Sequence, residues 1–178
     1  MNLSTDILLV EDDPGDVRLA LAVFRALKVA DRCVVVNDGE QALDFLHLKG
    51  RFSKRPPGLP RLILLDLKMP RMNGFEFLQQ VKSDQEFKTI PVIALTSSRE
   101  ERDVERAYDL NVNGYVVKSI DFSDYRATLQ ALAKYWENVN ERPPGFVERE
   151  PVDSSKSGKG KEHPPMHRLG FLWFLSPC

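Results

Sequence analysis

Short runs of uninterrupted apolar residues recur along the first 120 residues of the chain. Three of them, Ile7–Val10, Cys33–Val36 and Leu62–Leu65, contain no polar position, and two more fall at residues 91–95 and 114–117. A strand that is buried on both of its faces lacks the alternation of a half-exposed strand, and this is typical of parallel sheets. The pattern therefore predicts five short, buried strands.

Amphipathic helical patterns separate these runs. After Pro14, which suits a helix start, apolar residues fall on one helical face at positions 17, 20, 21, 24 and 27. Further helices are predicted after the Asn37-Asp38-Gly39 turn and over residues 74–83, 99–110 and 122–139. Five strands that each precede a helix predict an α/β domain with a doubly wound, five-stranded parallel sheet and helices on both faces.

The last of these helices has the clearest periodicity. Its apolar residues are spaced three, four, three, four and three positions apart: Phe122, Tyr125, Leu129, Leu132, Trp136 and Val139. Packing onto the sheet uses part of such a stripe, but the same spacing is that of a helix-packing seam. Tyr125, Tyr135 and Trp136 exceed what the core requires, and we therefore expect a homodimer.

Two segments do not follow the alternation. Residues 47–61 form a long basic connection with Pro56-Pro57-Gly58, which is either a solvated insert or a functional loop. Residues 142–178 are rich in Pro, Gly, Ser and Lys, so we expect one domain over residues 5–141 and a flexible, disordered C-terminal tail over residues 142–178. The apolar stretch at 169–175 could dock on the domain, bind a partner or have no selected role.

The bulk composition narrows the class of protein. A net charge of −1 gives no electrostatic reason to expect binding to nucleic acid or to a membrane surface. The two cysteines, Cys33 and Cys178, have neither metal-ligand spacing nor the look of a disulfide framework, which favours a reducing cytoplasm. The sequence has no signal-peptide pattern, no apolar stretch of membrane-spanning length, and no helix-turn-helix pattern after the domain, so output is expected through protein contact.

Carboxylates follow two of the predicted strands directly. Glu11 and Asp12 come after the first strand, and Asp66 comes after the third. Carboxyl ends of parallel strands meet at the edge where open α/β sheets bind ligands. Because desolvated carboxylates repel one another, such a cluster usually needs a divalent cation. These residues therefore predict a magnesium site beside a reactive carboxylate.

Four fragments in order resemble the receiver domain of bacterial two-component response regulators. They are Leu8-Leu9-Val10-Glu11-Asp12-Asp13, the stretch from Asp66 to Gly74, Ala94-Leu95-Thr96, and Tyr115-Val116-Val117-Lys118. The resemblance covers residues 5–139 and implies a flavodoxin-like sheet with strand order 2-1-3-4-5. The basic connection, the Lys118-Ser119 pair and the Tyr135-Trp136 ending resemble, more narrowly, the single-domain regulators paired with bacterial phytochromes.

The resemblance implies a role for each site residue. Asp66 would accept a phosphoryl group from a histidine kinase, and Lys118 and Thr96 would bind the phosphoryl oxygens. The ligands of Mg²⁺ would be Asp12, Glu11 directly or through water, Asp66 and the backbone carbonyl of Lys68. Thr96 and Tyr115 would act as a switch that changes the face formed by the fourth helix, fifth strand and fifth helix, which is also the expected dimer face.

Further residues near the site have other expected roles. Asp13 and Asp16 are interpreted as charges that favour the helix macrodipole. Lys68, Ser97 and Ser98 are expected around the phosphoryl group, where they could set its rate of hydrolysis. The family commonly has proline after the lysine of the fifth strand, often with a cis bond. Ser119 occupies that position here, so either the bond is trans or surrounding packing holds the strain.

Three other functions are weighed against signalling by phosphoryl acceptance. A magnesium-dependent phosphatase or phosphotransferase usually has a carboxylate two residues after its nucleophile, where this chain has Lys68. A flavin-binding electron carrier would need a phosphate loop after the first strand, but Glu11, Asp12 and Asp13 would repel a phosphate. A scaffold receiver that has lost phosphorylation would be expected to lack site residues that are present here. We therefore expect a signalling protein and not an enzyme.

Overall fold

The computed structural model describes residues 6–141, which fold into one parallel sheet with helices on both faces. The strands are β1 (Ile7–Val10), β2 (Cys33–Val36), β3 (Leu62–Leu65), β4 (Val92–Thr96) and β5 (Gly114–Val117). The helices are α1 (Pro14–Ala26), α2 (Gly39–Leu46), α3 (Gly74–Ser83), α4 (Glu101–Asp109) and α5 (Phe122–Asn138). Two short 3₁₀ turns, Ala30–Arg32 and Gly50–Phe52, precede β2 and follow α2.

The strand order is β2-β1-β3-β4-β5, and every neighbouring pair is parallel. This confirms the predicted fold class and the order 2-1-3-4-5. The register places Val10 beside both Val36 and Leu65, and it pairs Thr96 with Val117. The carboxyl ends of β1, β3, β4 and β5 therefore reach one edge of the sheet, with the residues that follow them side by side.

The two faces of the sheet bury two separate cores. Leu8 and Val10 of β1 pack with apolar residues of α2 and α3, whereas Ile7 and Leu9 pack with those of α1 and α5. Alternate residues of a strand point to opposite faces, so a run without polar positions fills both cores. The strands thus lack alternating polar and apolar residues because helices cover both faces of the sheet.

Some predicted boundaries and faces differ from the structure. β4 extends to Thr96, one residue beyond the predicted end, because the backbone N–H of Lys118 donates to the Thr96 carbonyl at 2.8 Å. Phe122 and Val139, the two ends of the apolar stripe predicted for the last helix, are 65% and 66% exposed. A helix of 3.6 residues per turn drifts by about 20° per heptad from a repeat of 3.5, so both ends of the stripe rotate off the core.

The basic connection at residues 47–61 is pinned by one of its own arginines. Arg55 stacks on the ring of Phe45, with its Cζ 3.9 Å from the ring centroid, and donates to the Phe45 carbonyl from Nε at 3.1 Å and from Nη2 at 2.8 Å. Its Nη1 donates to the carbonyls of Pro56 and Gly58. The connection is thus an ordered loop that Arg55 ties to α2, while its other basic residues Lys49, Arg51 and Lys54 are exposed to solvent.

The predicted C-terminal tail, residues 142–178, lies outside the described residues. Within residues 6–141, none of the helices combines the length and the apolar character that crossing a membrane requires.

Candidate functional site

The three predicted acidic ligands lie together at the carboxyl edge of the sheet. Backbone bonds continue past the strands: Glu11 N–H donates to the Val36 carbonyl and Asp66 N–H to the Val10 carbonyl, each at 2.9 Å. These bonds fix both residues beside each other. One carboxylate oxygen each from Glu11, Asp12 and Asp66 lies within 4.8 Å of the others. Glu11 and Asp66 are buried, whereas Asp12 is exposed, so the cluster is open to solvent on one side.

Lys118 reaches into this cluster from the end of β5. Its Nζ donates to Asp66 Oδ2 at 2.6 Å, to Glu11 Oε2 at 2.7 Å and to Asp16 Oδ2 at 2.7 Å. Burial by itself would lower the pKa of Lys118, but the charges of Asp66 and Glu11 and the hydrogen bond to Asp16 outweigh it and raise this pKa above its usual range. Lys118 is therefore a permanent cation among carboxylates.

Asp16 is the site residue that the sequence did not reveal. Its position in the sequence predicts a helix-start charge, yet its side chain binds Lys118, which lies 102 residues further along the chain. Asp13 accepts from the backbone N–H groups of Gly15 at 2.7 Å and Asp16 at 2.9 Å, which confirms it as a helix-start residue and orients the first turn of α1. No local spacing signals a contact between α1 and the end of β5.

The carboxylates outnumber the cation that neutralises them. Burial, together with the charge of Asp66, raises the pKa of Glu11 to about 7, although Lys118 acts in the opposite direction. Oxygen ligands of this kind, with an open side for water, are what Mg²⁺ prefers. The donor set of Glu11, Asp12 and Asp66 therefore fits a divalent cation, which relieves the repulsion when bound.

The loop after Asp66 is held tightly against the sheet. Lys68 N–H donates to Asp66 Oδ1 at 2.9 Å, so both carboxylate oxygens of Asp66 have fixed partners. A Cβ at Gly74 would lie 2.3 Å from the Asp66 carbonyl oxygen, so only glycine allows α3 to begin this close to the site. Asn73 caps α3 in a capping box with Glu76.

An ion pair between a buried carboxylate and a half-exposed arginine ties this loop to α2. Asp38 is fully buried, caps α2 by accepting from Gln41 N–H at 2.8 Å, and pairs with the guanidinium of Arg71. Gly39 N–H donates to the Met72 carbonyl at 3.1 Å beside it. The pairing of Asp38 with Arg71 was not predicted, because it joins two loops that the sequence keeps 33 residues apart.

The predicted switch residues lie on the neighbouring strands. Thr96 is fully buried at the end of β4, and its hydroxyl oxygen accepts from the backbone N–H of Ser98 at 3.2 Å. Tyr115, opposite Ala94, packs against the core on the side of α2 and α3 and donates from its hydroxyl to the Ser98 carbonyl at 3.1 Å. Both side chains thus hold the same segment between β4 and α4.

The departure at Ser119 does not disturb the backbone. The peptide bond between Lys118 and Ser119 is trans, as are all others within residues 6–141. Lys118 reaches the acidic cluster without the cis geometry that a proline at this position often has. The first of the two alternatives for this bond is therefore correct.

Fold and site together define a doubly wound α/β domain with an acidic pocket and a lysine at its carboxyl edge. The family model for the response regulator receiver domain matches residues 7–130. The chain therefore belongs to the response regulator receiver domain family, whose members act in two-component signalling.

Named relatives share most of this length. The response regulator Rcp1 from Synechocystis sp. is 38% identical over 130 residues, which cover 73% of this chain and 87% of Rcp1. "Probable methanogenesis regulatory protein FilR2" from Methanothrix harundinacea is 37% identical over 137 residues, 77% of this chain and 86% of that protein. The crystal structure of the phosphorylated cyanobacterial phytochrome response regulator RcpA is similar with a TM-score of 0.73 and 35% identity, covering 79% of this chain and 99% of RcpA. The Mn²⁺-bound form of Rcp1 gives a TM-score of 0.70 and 37% identity over 78% of this chain and 99% of that one.

Proposed function

We propose that the protein is a single-domain response regulator that accepts a phosphoryl group on Asp66 from a histidine kinase. The observation that carries the proposal is the contact of Asp66 Oδ2 with Lys118 Nζ at 2.6 Å, inside a cluster of carboxylates that suits a divalent cation. A phosphoryl group on this carboxylate would lie beside the ammonium group of Lys118, which can stabilise its negative charge.

The transfer step needs little covalent assistance from the protein. An Asp66 carboxylate oxygen attacks phosphorus, the P–O bond of an acyl phosphate forms, and the P–N bond to the donor histidine breaks. The imidazole takes the electron pair and leaves neutral, because its other nitrogen carries a proton. Positioning and charge neutralisation then dominate the rate. Lys118 stays protonated and pairs with phosphoryl oxygens, and the Thr96 hydroxyl donates to another.

The residues that would hold Mg²⁺ are Asp12, Asp66, Glu11 directly or through water, and the backbone carbonyl of Lys68. When bound, Mg²⁺ supplies positive charge that offsets the charge on the transferred phosphoryl oxygens. The carboxylate cluster supports this assignment, as does the Mn²⁺-bound form of the similar protein Rcp1. The role of the Lys68 carbonyl is carried over from the family resemblance.

The output we propose is a change in protein contact. Thr96 and Tyr115 both form hydrogen bonds with the segment that leads into α4. A movement of Thr96 toward a phosphoryl group would therefore shift this segment and change the positions of α4 and β5. Exposed apolar side chains lie on α4, on α5 and next to the ends of α5: Tyr108, Ile120, Phe122, Tyr135 and Val139. We infer that the face of α4, β5 and α5 forms a homodimer and changes on phosphorylation. Light scattering at micromolar concentration tests the dimer, and a monomer in both states would refute it.

A kinase of the phytochrome type is the specific donor that we propose. Its support is the likeness to RcpA, which is described as a cyanobacterial phytochrome response regulator. Incubation with a purified, autophosphorylated phytochrome kinase, alongside a kinase of another sensor class, tests the choice. Transfer at equal rates from both would remove the phytochrome assignment and leave phosphoryl acceptance intact.

The experiment that tests acceptance uses acetyl phosphate, Mg²⁺ and intact mass spectrometry. One phosphoryl group should be added to the wild type, lost in Asp66→Asn and kept in Asp13→Asn, because the asparagine side-chain oxygen can still cap α1. Chelation of Mg²⁺ before the donor is added should prevent the modification. A phosphoryl group that persists in Asp66→Asn at wild-type rate would overturn the proposal.

A further inference from the structure

The ammonium group of Lys118 has every hydrogen-bond donor in use. A lysine has three N–H donors and no acceptor. Each donor of Lys118 meets a different carboxylate, on Glu11, Asp16 or Asp66, at 2.6–2.7 Å. These three carboxylates come from the end of β1, the first turn of α1 and the end of β3, so the lysine is held from three directions.

Two of these three partners are shared with the candidate cation site, and Asp16 is not. Oxygens of Glu11 and Asp66 lie in the cluster with Asp12, whereas Asp16 is not a member of that group. A divalent cation and an ammonium that compete for the same oxygens also repel one another. A bound cation would therefore weaken the contacts of Glu11 and Asp66 with Lys118, whereas the contact with Asp16 would remain.

We propose that Asp16 is a positioning residue for phosphoryl transfer: it keeps the Lys118 ammonium beside Asp66 when a divalent cation occupies Glu11, Asp12 and Asp66. This inference rests on the proposed function. Asp16 is suited to holding Lys118 because its own backbone is fixed at the start of α1. The Asp16 N–H donates to Asp13 Oδ1 at 2.9 Å. Asp16 acts through Lys118, and no proton moves in the step.

A four-member mutant cycle separates this role from a structural one. We would measure the rate of phosphorylation by acetyl phosphate with saturating Mg²⁺ in the wild type, Asp16→Ala, Lys118→Ala and the double variant. Loss of one charge-assisted hydrogen bond to the lysine should slow Asp16→Ala by about tenfold. In the Lys118→Ala background the same substitution should have no further effect. Asp16→Glu should recover part of the rate.

Two controls accompany the cycle. Asp124→Ala removes an acidic residue from the first turn of α5, the equivalent position in a different helix, and should keep the wild-type rate. Mn²⁺ affinity, measured by electron paramagnetic resonance without any phosphodonor, should change by less than about threefold in Asp16→Ala, since only a long-range charge is lost. Asp12→Ala should lose Mn²⁺ binding. Circular dichroism checks folding, and Asp16→Asn replaces Asp16→Ala if the latter does not fold.

The possible outcomes separate a positioning role of Asp16 from an effect on the helix and from a role as cation ligand. An equal loss of rate from Asp16→Ala with and without Lys118 would mean that Asp16 acts through the helix, and it would overturn the inference. A loss of Mn²⁺ affinity as large as that of Asp12→Ala would also overturn it, by making Asp16 a cation ligand. If the wild type itself is not phosphorylated at Asp66, the proposed function fails first, and this is visible before any variant is compared.

Discussion

The hydroxyl of Tyr115 donates to the backbone carbonyl of Ser98 at 3.1 Å, across the gap between β5 and the segment that enters α4. The backbone N–H of the same Ser98 donates to the Thr96 hydroxyl oxygen at 3.2 Å. Both predicted switch side chains, Thr96 and Tyr115, thus form hydrogen bonds with the backbone of Ser98. We therefore expect a displacement of Thr96 to move Ser98 and, through the Ser98 carbonyl, the Tyr115 side chain.

Removal of the Tyr115 hydroxyl should loosen this segment. We expect Tyr115→Phe to lower the free energy of unfolding by about 1 kcal/mol, the usual net value of one neutral hydrogen bond. Urea denaturation measures this loss, and NMR should place the largest amide shifts at residues 97–100. Tyr108→Phe, on the exposed side of α4, is the matched control and should change stability by less than about 0.5 kcal/mol. Equal losses in both variants would contradict the role of the hydrogen bond.

Divalent cation binding should stabilise the folded protein. Mg²⁺ at about 100 times its Kd would raise the free energy of unfolding by roughly 2.7 kcal/mol, because the unfolded chain lacks the clustered carboxylates. Asp12→Asn should abolish this gain and should raise the stability without metal, since it removes one charge from a repelling set. Urea denaturation with Mg²⁺ and with EDTA measures both effects. Asp31→Asn, an exposed acidic residue before β2, is the control, and a full Mg²⁺ gain in Asp12→Asn would contradict the ligand assignment.

Much of this fold could be predicted because a strand that is buried on both faces has an uninterrupted apolar sequence. Ile7–Val10 and Leu62–Leu65 are buried at every position, so their sequences carry no alternation and their type and extent were predicted correctly. The carboxylates that follow them were predicted to meet because parallel strands end at one edge. Local sequence therefore predicted the strands and the acidic cluster, whereas the strand order followed from the family resemblance.

The parts that the sequence did not predict depend on distant partners. Asp16 has the ordinary position of a helix-start charge, and only the closeness of α1 to the end of β5 brings it to Lys118. Asp38 and Arg71 likewise pair across two loops. In the sequence, Arg55 is one of several charged residues in a basic stretch. Its stacking on the ring of Phe45 is visible only in the structure. Spacing along the chain carries no signal for contacts of this kind.

Arg55 should be irreplaceable by lysine in the connection between α2 and β3. Its planar guanidinium reaches the carbonyls of Phe45, Pro56 and Gly58 at once, and an ammonium cannot copy this geometry. We expect Arg55→Lys to cost about 1–3 kcal/mol, equivalent to one or two of these bonds, and to speed hydrogen exchange across residues 47–61. Mass spectrometry of the exchanged peptides measures this effect.

The neighbouring Lys54 provides the control for that experiment, because its side chain is exposed. Lys54→Arg should leave exchange of residues 47–61 as in the wild type. Fast exchange already present in the wild type, at the rate of an unstructured peptide, would show that Arg55 does not hold the connection.

The thiol of Cys33 should make stability fall at alkaline pH. Burial raises the pKa of Cys33 from 9.0 to about 12, so the folded state holds its proton where the unfolded chain has lost it. A group with a raised folded pKa contributes stability that is fully present below pH 9 and is lost as pH rises toward 12. Relative to Cys33→Val, the free energy of unfolding of the wild type should therefore fall by up to about 1.4 kcal/mol per pH unit above pH 9.

Urea denaturation of both proteins at pH 8, 9.5 and 10.5, with reductant present, measures this difference. Titrations of groups that both proteins share cancel in the comparison. A difference that stays constant across these pH values would mean that the Cys33 thiol ionises as readily in the folded protein as in the unfolded chain.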